Sequence, residues 1–231
     1  MVSIIIPAFN EARTIGPLVR SVVGHPLTAE VIVVDDGSTD GTAQQARDAG
    51  ARVITMEQNS GKATAMDRGV SEASSDIMLF LDGDLAGITH EKVSRIIDPV
   101  TEGRYDMYIA ILSRRNYWLN RVLHFFPILA GTRAVRRTLW NAVPLRYKKG
   151  FQIEIALNYF SRATEHRTGF EVVARISHAI KEKKHGLVRG MWYRLIMIWH
   201  IISISFQLYI IYSLKQRIRS LFGILSAWTA S

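Results

Sequence analysis

Two aspartates separated by a single glycine are the residues of this sequence best suited to chemistry. Asp82-Gly83-Asp84 follows residues 77–81, a short apolar run that is typical of a buried strand. Two carboxylates this close repel each other unless a cation lies beside them, and hard oxygen ligands favour Mg²⁺ or Mn²⁺. Gly83 would allow a ligand to approach the backbone closely. A solvated acidic turn has the same composition, so the position of the pair in the fold must decide between these interpretations.

The segments that would position this pair alternate between strands and helices. Apolar β-branched runs predict strands at residues 2–6, 31–34, 52–56 and 77–81. Apolar residues at helical spacing predict helices at residues 11–23, 39–49 and 63–73. Further along, a helix is predicted at residues 152–162 and a strand at residues 171–176. This alternation predicts an α/β fold whose mostly parallel central sheet is flanked by helices.

Polar clusters follow three of the predicted strands at the point where each strand ends. They are Asn10-Glu11, Asp35-Asp36 and Asp82-Gly83-Asp84. Ligands on open parallel sheets bind beyond the carboxyl ends of the strands. We therefore expect the three clusters to form one site at one edge of the sheet.

Four longer segments contain these clusters: SIIIPAFNEARTI, VIVVDDGSTDGT, NSGKATAMDRG and DIMLFLDGDL. In order and spacing they resemble the motifs of family 2 glycosyltransferases with the GT-A fold, and they lie between residues 3 and 85. The resemblance implies a nucleotide-diphospho-sugar transferase fold with C-terminal hydrophobic helices. It also implies an enzyme that transfers a hexose from a nucleotide-sugar donor, with inversion at the sugar.

The resemblance implies a role for each matching position. The nucleotide-sugar site would consist of Pro7, Phe9, Glu11, Asp36, Lys62, Asp82 and Gly83. The first three would line the base and ribose pocket, Asp36 would bind the edge of the nucleobase or ribose, and Lys62 would lie near the diphosphate. Asp82 and Asp84 would hold that diphosphate through Mg²⁺ or Mn²⁺, which makes Asp84 a catalytic candidate as well. A divalent cation there would stabilise the negative charge of the leaving group.

The second half of the chain resembles the acceptor segments of two branches of that family. ILAGTRAVRRTLW and KGFQIEIALNYF are similar to segments of polyprenyl-phosphate sugar transferases and of glucosyl-3-phosphoglycerate synthases. The resemblance implies that Gln152 binds acceptor and that Glu154 holds substrate, or acts as the base if the acceptor is a hydroxyl. It also implies a histidine in the metal site, for which His178 is the candidate and His185 the alternative.

Arginines in the second half are candidates for binding an acceptor phosphate, because a guanidinium can bind phosphate through two parallel hydrogen bonds. They are Arg114, Arg133 and Arg136, with Arg115 and Arg137 beside them. A solvated basic face next to an anionic membrane would have the same composition. Both interpretations stay open at this point.

Charge is distributed unevenly along the chain. Residues 1–112 hold nine Lys/Arg against sixteen Asp/Glu, whereas residues 113–231 hold twenty against four. The acidic half suits a divalent cation, and the basic half suits anionic lipid or nucleic acid. Because the basic charge flanks a long apolar run, we expect lipid and no nucleic acid as partner. The absence of cysteine excludes disulfides, cysteine-ligated zinc and thiol catalysis.

Residues 195–214 are nearly all apolar and have about the length that a bilayer-spanning helix needs. This segment could span the membrane, lie in its interface or pack against another subunit, as in a homodimer. The predicted organisation is therefore a nucleotide-sugar-binding half (1–112), an acceptor-binding half (113–190) and a membrane-associated or partner-binding helical tail (191–231). We expect the protein on the cytoplasmic side of a membrane, peripheral or anchored at its C-terminus.

These expectations combine into one functional hypothesis. The enzyme would move a hexose from UDP-glucose or GDP-mannose to polyprenyl phosphate or a related lipid-linked acceptor. A transferase for a soluble acceptor, similar to glucosyl-3-phosphoglycerate synthase, is the first alternative. A sugar nucleotidyltransferase is the second, but residues 7–11 lack the glycines with which such enzymes usually bind phosphate.

Overall fold

The computed structural model describes residues 1–112, 130–150 and 152–178, together with 203, 205–212 and 214. The chain divides into two compact units, Met1–Glu182 and Lys183–Ser231. In the described part of the second unit, Gln207–Tyr212 forms a π-type helix. Among the residues that the structure describes, no helix is long and apolar enough to cross a membrane. The predicted tail at residues 191–231 lies mostly outside the described residues, so its arrangement stays a prediction.

The first unit is built on a mixed sheet. The strands are β1 (Val2–Ala8), β2 (Thr28–Asp35), β3 (Arg52–Thr55), β4 (Ile77–Phe80), β5 (Leu85–Ala86), β6 (Met107–Leu112), β7 (Arg133–Arg136), β8 (Thr168–Val173) and β9 (Ser177–His178). Seven of them form one sheet in the order β3-β2-β1-β4-β7-β6-β8, and β5 pairs with β9. Strands β1 to β4 are parallel, β6 is parallel to β8, and β7 runs antiparallel to both of its neighbours. The predicted α/β fold with a mostly parallel sheet is confirmed.

Helices cover both faces of this sheet. They are α1 (Ile15–Arg20), α2 (Thr42–Asp48), α3 (Lys62–Glu72), α4 (His90–Thr101), α5 (Arg137–Ala142) and α6 (Gln152–Ala163), with a 3₁₀ turn at Leu145–Tyr147. Because side chains alternate between the faces of a strand, Ile4 and Ile6 pack in one core with residues of α1 and α4. Ile5 points to the opposite face, where α3 lies.

Helix α3 lies unusually close to the sheet at Gly69. An ideal Cβ atom at this position would be only 2.5 Å from Cγ2 of Ile5 and 3.2 Å from Cγ2 of Val34. Real Cβ atoms do not approach buried side chains that closely, so the absence of a side chain here allows the contact. The close packing fixes α3 on the sheet and thereby places its first residue, Lys62, at the carboxyl edge.

Several predicted elements have different bounds in the structure, and two of these differences have an evident physical cause. The helix predicted at residues 11–23 is α1, and it begins only at Ile15, because residues 11–14 form a turn that contacts the loop after β2. The strand predicted at residues 171–176 is β8, which begins and ends three residues earlier. Arg175 beyond its end has a positive φ of 58°, which is incompatible with continued extended backbone.

Candidate functional site

The carboxyl ends of three parallel strands meet at one edge of the sheet. The register pairs Ala8 of β1 with Asp35 of β2, and Ile5 of β1 with Phe80 of β4. The residues that follow these strands therefore lie side by side, as the sequence predicted. The polar clusters thus converge at the edge of the sheet where the site was predicted.

A cleft of about 540 Å³ opens at this edge. It is lined by Pro7, Ala8, Phe9, Glu11, Asp36, Asn59, Gly61, Lys62, Asp82, Gly83 and Asp84. All seven residues that were predicted to bind a nucleotide sugar lie in this cleft, together with Asp84. The volume is within the range of sites for small molecules and cofactors, and Phe9 is 42% exposed, so its ring is accessible to a ligand.

Asp36 holds the loop that precedes α3. Its Oδ1 accepts a hydrogen bond from the backbone N–H of Ser60 at 2.8 Å, and its Oδ2 accepts one from the N–H of Gly61 at 2.8 Å. The residue is only 3% exposed. A carboxylate that accepts two backbone N–H groups forms strong, charge-assisted bonds. Asp36 therefore positions the cleft wall, a role that sequence reasoning had not assigned to it.

The loops after β1 and β2 are connected by further hydrogen bonds. The side-chain oxygen of Asn10 accepts a bond from the N–H of Thr39 at 2.9 Å, and the N–H of Asn10 donates to Oγ of Ser38 at 2.9 Å. Asn10 has a φ of 55°, a conformation that asparagine adopts more readily than most residues. The N–H of Glu11 donates to Oγ1 of Thr42 at 2.8 Å. The floor of the cleft is thus held by contacts between two loops.

Thr14 fixes the backbone between the two aspartates of the Asp82-Gly83-Asp84 turn. Its hydroxyl donates to the carbonyl oxygen of Gly83 at 2.9 Å. The turn also lies close to β1, since an ideal Cβ at Gly83 would be 3.2 Å from the carbonyl oxygen of Pro7. Sequence reasoning missed Thr14, which belongs to the first of the four motif segments but is separated from Gly83 by 69 positions.

Lys62 forms two ion pairs at the base of the cleft. Its Nζ lies 2.6 Å from Oδ1 of Asp82 and 3.2 Å from Oε1 of Glu154, which belongs to α6. Burial alone would lower the pKa of Lys62, but the negative charges of Glu154 and Asp82 outweigh this effect and its pKa is raised. The lysine is therefore a cation held between two carboxylates, one from each half of the first unit.

Glu154 is 4% exposed, and among the described residues its Oε2 is buried with no hydrogen-bond partner. A buried carboxylate oxygen without a partner is costly, and such an atom beside Lys62, which lines the cleft, is a candidate for contact with a ligand. Gln152 lies two positions earlier and is half-buried at the start of α6.

The backbone just before β7 closes the cleft on the side of this cluster. An ideal Cβ at Gly131 would lie 2.6 Å from Nζ of Lys62 and 2.7 Å from Oδ2 of Asp82. Only glycine allows the chain to pass this close to the ion pair. Gly131 was not predicted as a site residue, because a single glycine between two predicted elements is typical of any turn.

Arg133 is completely buried beside this cluster and is not part of a solvated basic face. Its Nε donates to the carbonyl oxygen of Ala130 at 3.1 Å, its Nη2 donates to the same atom, and its Nη1 donates to the carbonyl oxygen of Glu154 at 3.4 Å. Burial lowers the pKa of Arg133 to about 10, although the charges of Glu154 and Asp82 act in the opposite direction. Its guanidinium therefore joins the segment before β7 to α6 and supports the cleft wall.

Arg136 lies at the opposite edge of the sheet. Because β7 runs antiparallel to β4, Arg133 pairs with Phe80 at the cleft edge, whereas Arg136 pairs with Ile77 at the far edge. Its Nη2 donates to the carbonyl oxygen of Val100 at 2.8 Å. Arg136 therefore does not belong to the candidate acceptor site at the cleft. The sequence did not predict this position, because it did not predict that β7 runs antiparallel to β4. Arg137 follows it and donates to carbonyl oxygens at the end of α3.

Three predicted residues lie outside the described residues: Arg114, Arg115 and His185. For His178 the backbone is described, and β9 pairs it with Leu85, the neighbour of Asp84. This register agrees with a histidine near the acidic pair. Its part in a metal site stays a prediction.

The donor atoms of the cleft can be compared with the needs of a divalent cation. Within the described part of the chain, no group of three His, Cys, Asp or Glu side chains could hold a metal ion. Asp82 and Asp84 supply hard oxygen donors on one wall of the cleft. Mg²⁺ is usually bound by one or two carboxylates together with water and substrate phosphates. The two aspartates fit such a cation, provided that a phosphate-bearing ligand completes its shell.

Comparison with known proteins identifies relatives of the chain. The family model described as "Glycosyl transferase family 2" matches residues 3–144. Glycosyltransferase AglJ of Haloferax volcanii is 34% identical over 174 residues, which cover 66% of this chain and 55% of AglJ. The dodecaprenyl-phosphate galacturonate synthase of Rhizobium johnstonii is 38% identical over 93 residues, or 36% of this chain and 28% of that enzyme. The chain thus spans about half the length of the first relative and less of the second.

Solved structures of glucosyl-3-phosphoglycerate synthase from Mycobacterium tuberculosis are similar to this fold. The complex with Mg²⁺ and uridine diphosphate has a TM-score of 0.68 and 26% identity, and it covers 79% of this chain and 72% of the other. The complex with Mn²⁺, UDP-glucose and glycerol 3-phosphate has a TM-score of 0.68 and 27% identity, covering 79% and 73%. The resemblance to both branches that the sequence indicated is confirmed.

Proposed function

The chain belongs to glycosyl transferase family 2, and from this premise we propose that it transfers a hexose from UDP-glucose or GDP-mannose to a phosphate-bearing acceptor. Polyprenyl phosphate or a related lipid-linked phosphate is the acceptor that we favour. One observation carries the proposal. The carboxyl ends of three parallel strands and the start of α3 bring Asp36, Lys62, Asp82 and Asp84 to a single cleft of about 540 Å³.

In this proposal each wall of the cleft binds one part of the donor. Pro7, Phe9 and Glu11 contact the base and ribose, and the exposed ring of Phe9 offers an apolar face to the base. Asp36 acts mainly by holding the loop at Ser60 and Gly61, although each carboxylate oxygen can accept a further hydrogen bond. Lys62 contributes a positive charge near the diphosphate.

Asp82 and Asp84 would hold Mg²⁺ or Mn²⁺, with His178 as a further candidate ligand. A divalent cation at this position stabilises the negative charge that develops on the departing diphosphate. The residues of the chain orient the donor around it. Thr14 keeps the Asp82-Gly83-Asp84 turn in place. The Oε2 atom of Glu154, which has no hydrogen-bond partner within the described ranges, can accept a hydrogen bond from a hydroxyl of the sugar or the acceptor.

The preference for a lipid phosphate rests on three features. The relative from Rhizobium johnstonii is by name a dodecaprenyl-phosphate galacturonate synthase, residues 113–231 are strongly basic, and residues 195–214 are nearly all apolar. A phosphate acceptor is already ionised near neutral pH and needs no strong base, which agrees with a Glu154 that is engaged by Lys62. We accordingly propose that the protein works at the cytoplasmic side of a membrane, held there by residues 191–231.

The fold comparison supports a second candidate acceptor. The solved neighbours are glucosyl-3-phosphoglycerate synthases, and one of them was crystallised with glycerol 3-phosphate. A small phosphorylated acid or alcohol is therefore the alternative. Both candidates share a phosphate group, and they differ in the apolar portion that the acceptor carries.

The donor half of the proposal is tested by turnover of a panel of nucleotide sugars with Mn²⁺. We expect release of the nucleoside diphosphate from UDP-glucose or GDP-mannose, and a loss of about 100-fold or more in the Asp84→Ala variant. Asp76→Ala is the matched control, because the Asp76 side chain is 92% exposed and precedes β4 at the opposite edge of the sheet. Unchanged turnover and unchanged Mn²⁺ dependence in Asp84→Ala would disprove the proposed site.

The acceptor half is tested by adding polyprenyl phosphate, 3-phosphoglycerate or neither to the same reaction. Stimulation by polyprenyl phosphate supports the lipid acceptor, and stimulation by 3-phosphoglycerate supports the alternative. Membrane attachment is tested separately by sedimentation with vesicles. Removal of residues 191–231 should release the protein, and continued sedimentation of the shortened chain would refute that role for the tail.

A further inference from the structure

Lys62 occupies a position that conflicts with metal binding by Asp82. Its ammonium lies 2.6 Å from Oδ1 of Asp82, so one of the two oxygens that this carboxylate could offer a metal ion is engaged by a cation of the chain. The side chains of Lys62 and Asp82 are 30% and 21% exposed, so solvent only partly screens the pair. A divalent cation that binds Asp82 would therefore share this carboxylate with Lys62, and the two positive charges would repel each other.

The surroundings of Lys62 limit where its ammonium can go. On one side the backbone of Gly131 lies close, since an ideal Cβ atom there would be only 2.6 Å from Nζ. Glu154 offers the other direction, with Oε1 at 3.2 Å. Its Oε2 is buried and has no hydrogen-bond partner in the described part of the chain. Glu154 is thus a second carboxylate that can accept the ammonium when Asp82 is released.

We propose that Lys62 is an exchangeable counter-ion: its ammonium is shared by Asp82 and Glu154 until a divalent cation binds Asp82, and it then pairs with Glu154 alone. This inference rests on the proposed function, because it takes the acidic pair as the metal site. Its consequence is a coupling between metal and donor. The cation alone binds weakly, since it must displace Lys62. A nucleoside diphosphate raises its affinity, because it supplies oxygen ligands to the metal and a new anionic partner to the lysine.

The test measures binding of Mn²⁺ alone to the full chain, by the loss of the electron paramagnetic resonance signal of aqueous Mn²⁺. We expect Lys62→Met to bind Mn²⁺ about tenfold more tightly than wild type, a factor that corresponds to about 1.4 kcal/mol. Lys62→Gln should behave in the same way and serves if the methionine variant does not fold. Lys62→Arg keeps the charge and should stay close to wild type.

A double-mutant cycle with Glu154→Gln separates exchange from a general effect of charge. In the wild-type background, Glu154→Gln removes the second partner of Lys62 and should weaken Mn²⁺ binding about threefold or more. In the Lys62→Met background the same substitution should have little effect. A simple field effect of Glu154 would instead act equally in both backgrounds, and that result would overturn the proposal.

Unchanged Mn²⁺ affinity in both Lys62→Met and Lys62→Gln would also overturn the proposal. Failure of this inference is distinguishable from failure of the proposed function. If the wild-type protein turns over a nucleotide sugar with Mn²⁺ while the lysine variants bind Mn²⁺ like wild type, the function stands and the exchange is wrong. If wild type shows no Mn²⁺-dependent turnover, the proposed function itself fails.

Discussion

Asp36 offers a direct way to separate a structural role from contact with a ligand. The Asp36→Asn substitution preserves the shape of the side chain but replaces one acceptor oxygen by an NH₂ group. In the structure both oxygens are occupied at 2.8 Å by the N–H groups of Ser60 and Gly61. The asparagine can keep one of these bonds as a neutral hydrogen bond. Its NH₂ group then faces the other N–H, and two donors cannot pair.

The size of the effect follows from these two bonds. A hydrogen bond to a charged group contributes about 1.5–3 kcal/mol, and a neutral one contributes about 1 kcal/mol. Ser60 is exposed, so water can reach the released N–H and reduce the cost of leaving it unpaired. We therefore expect Asp36→Asn to lower the free energy of unfolding by about 2 kcal/mol in the absence of any ligand. For a domain of this size the melting temperature would fall by about 4–8 °C.

The assay is urea unfolding of the ligand-free protein, followed by measurement of UDP binding to the folded variant. Asp76→Asn is the matched control, because that side chain is 92% exposed and should change stability by less than about 0.5 kcal/mol. A variant that keeps the wild-type urea midpoint and loses only affinity for UDP would refute the reasoning. Asp36 would then act through the ligand alone, and the loop at Ser60 would be held by other contacts.

Three further predictions follow from the packing. Gly131→Ala should reduce turnover of the nucleotide sugar about 100-fold, because the new Cβ atom displaces the ion pair of Lys62 and Asp82. The circular dichroism spectrum should stay unchanged, and normal turnover would contradict the proposed geometry. Gly69→Ala should lower the free energy of unfolding by about 1–3 kcal/mol, because the new Cβ atom overpacks the contact between α3 and the sheet. A gain of about 1 kcal/mol in helix propensity offsets part of this loss. A variant that is more stable than wild type in urea would refute the close contact of α3 with the sheet. Burial, aided by the charge of His90, lowers the pKa of His25 below its ordinary value of 6.5. The unfolded chain therefore binds a proton at this histidine at a higher pH than the folded chain does. As a result, the free energy of unfolding should fall as the pH drops below about 6.5. Urea midpoints at pH 7 and pH 5.5 test this, and His25→Gln should reduce the difference between them.

Sequence patterns were sufficient to predict the donor side of the cleft, because its residues lie close in sequence to the strands that position them. Glu11, Asp36 and Asp82 each follow a strand within a few positions, and strands in a parallel sheet end at a common edge. Once the four apolar runs were identified, their order along the chain placed the polar residues together. The start of α1 was less predictable, since the N–H groups of Glu11 and Ala12 donate to Thr42, the first residue of α2, and to Asp40 in the loop before it. Apolar periodicity contains no information about such contacts.

The roles of Gly131 and Thr14 could not be predicted for a related reason. Each acts through a neighbour that is far away in the sequence: Gly131 through Lys62 and Asp82, and Thr14 through Gly83. The sequence around a single glycine or threonine contains no pattern that reveals which distant residue it will contact. The clash of a hypothetical Cβ at Gly131 becomes visible only when the sheet has brought β7 beside β4.

The acceptor side of the cleft was harder to predict, because it depends on one strand, β7, that runs antiparallel to both of its neighbours. Arginine is seldom buried, so the basic run around Arg133 and Arg136 was expected at the surface, either to bind an acceptor phosphate or to form a solvated basic face. Strand β7 is antiparallel to β4, and over four residues it carries Arg133 to the cleft edge and Arg136 to the far edge. Arg133 then becomes a buried support for Glu154, and Arg136 contacts Val100. A phosphate-binding arginine for the acceptor must therefore be sought elsewhere than in this strand, and Arg114 and Arg115 are the remaining candidates among those that the sequence named outside the described residues.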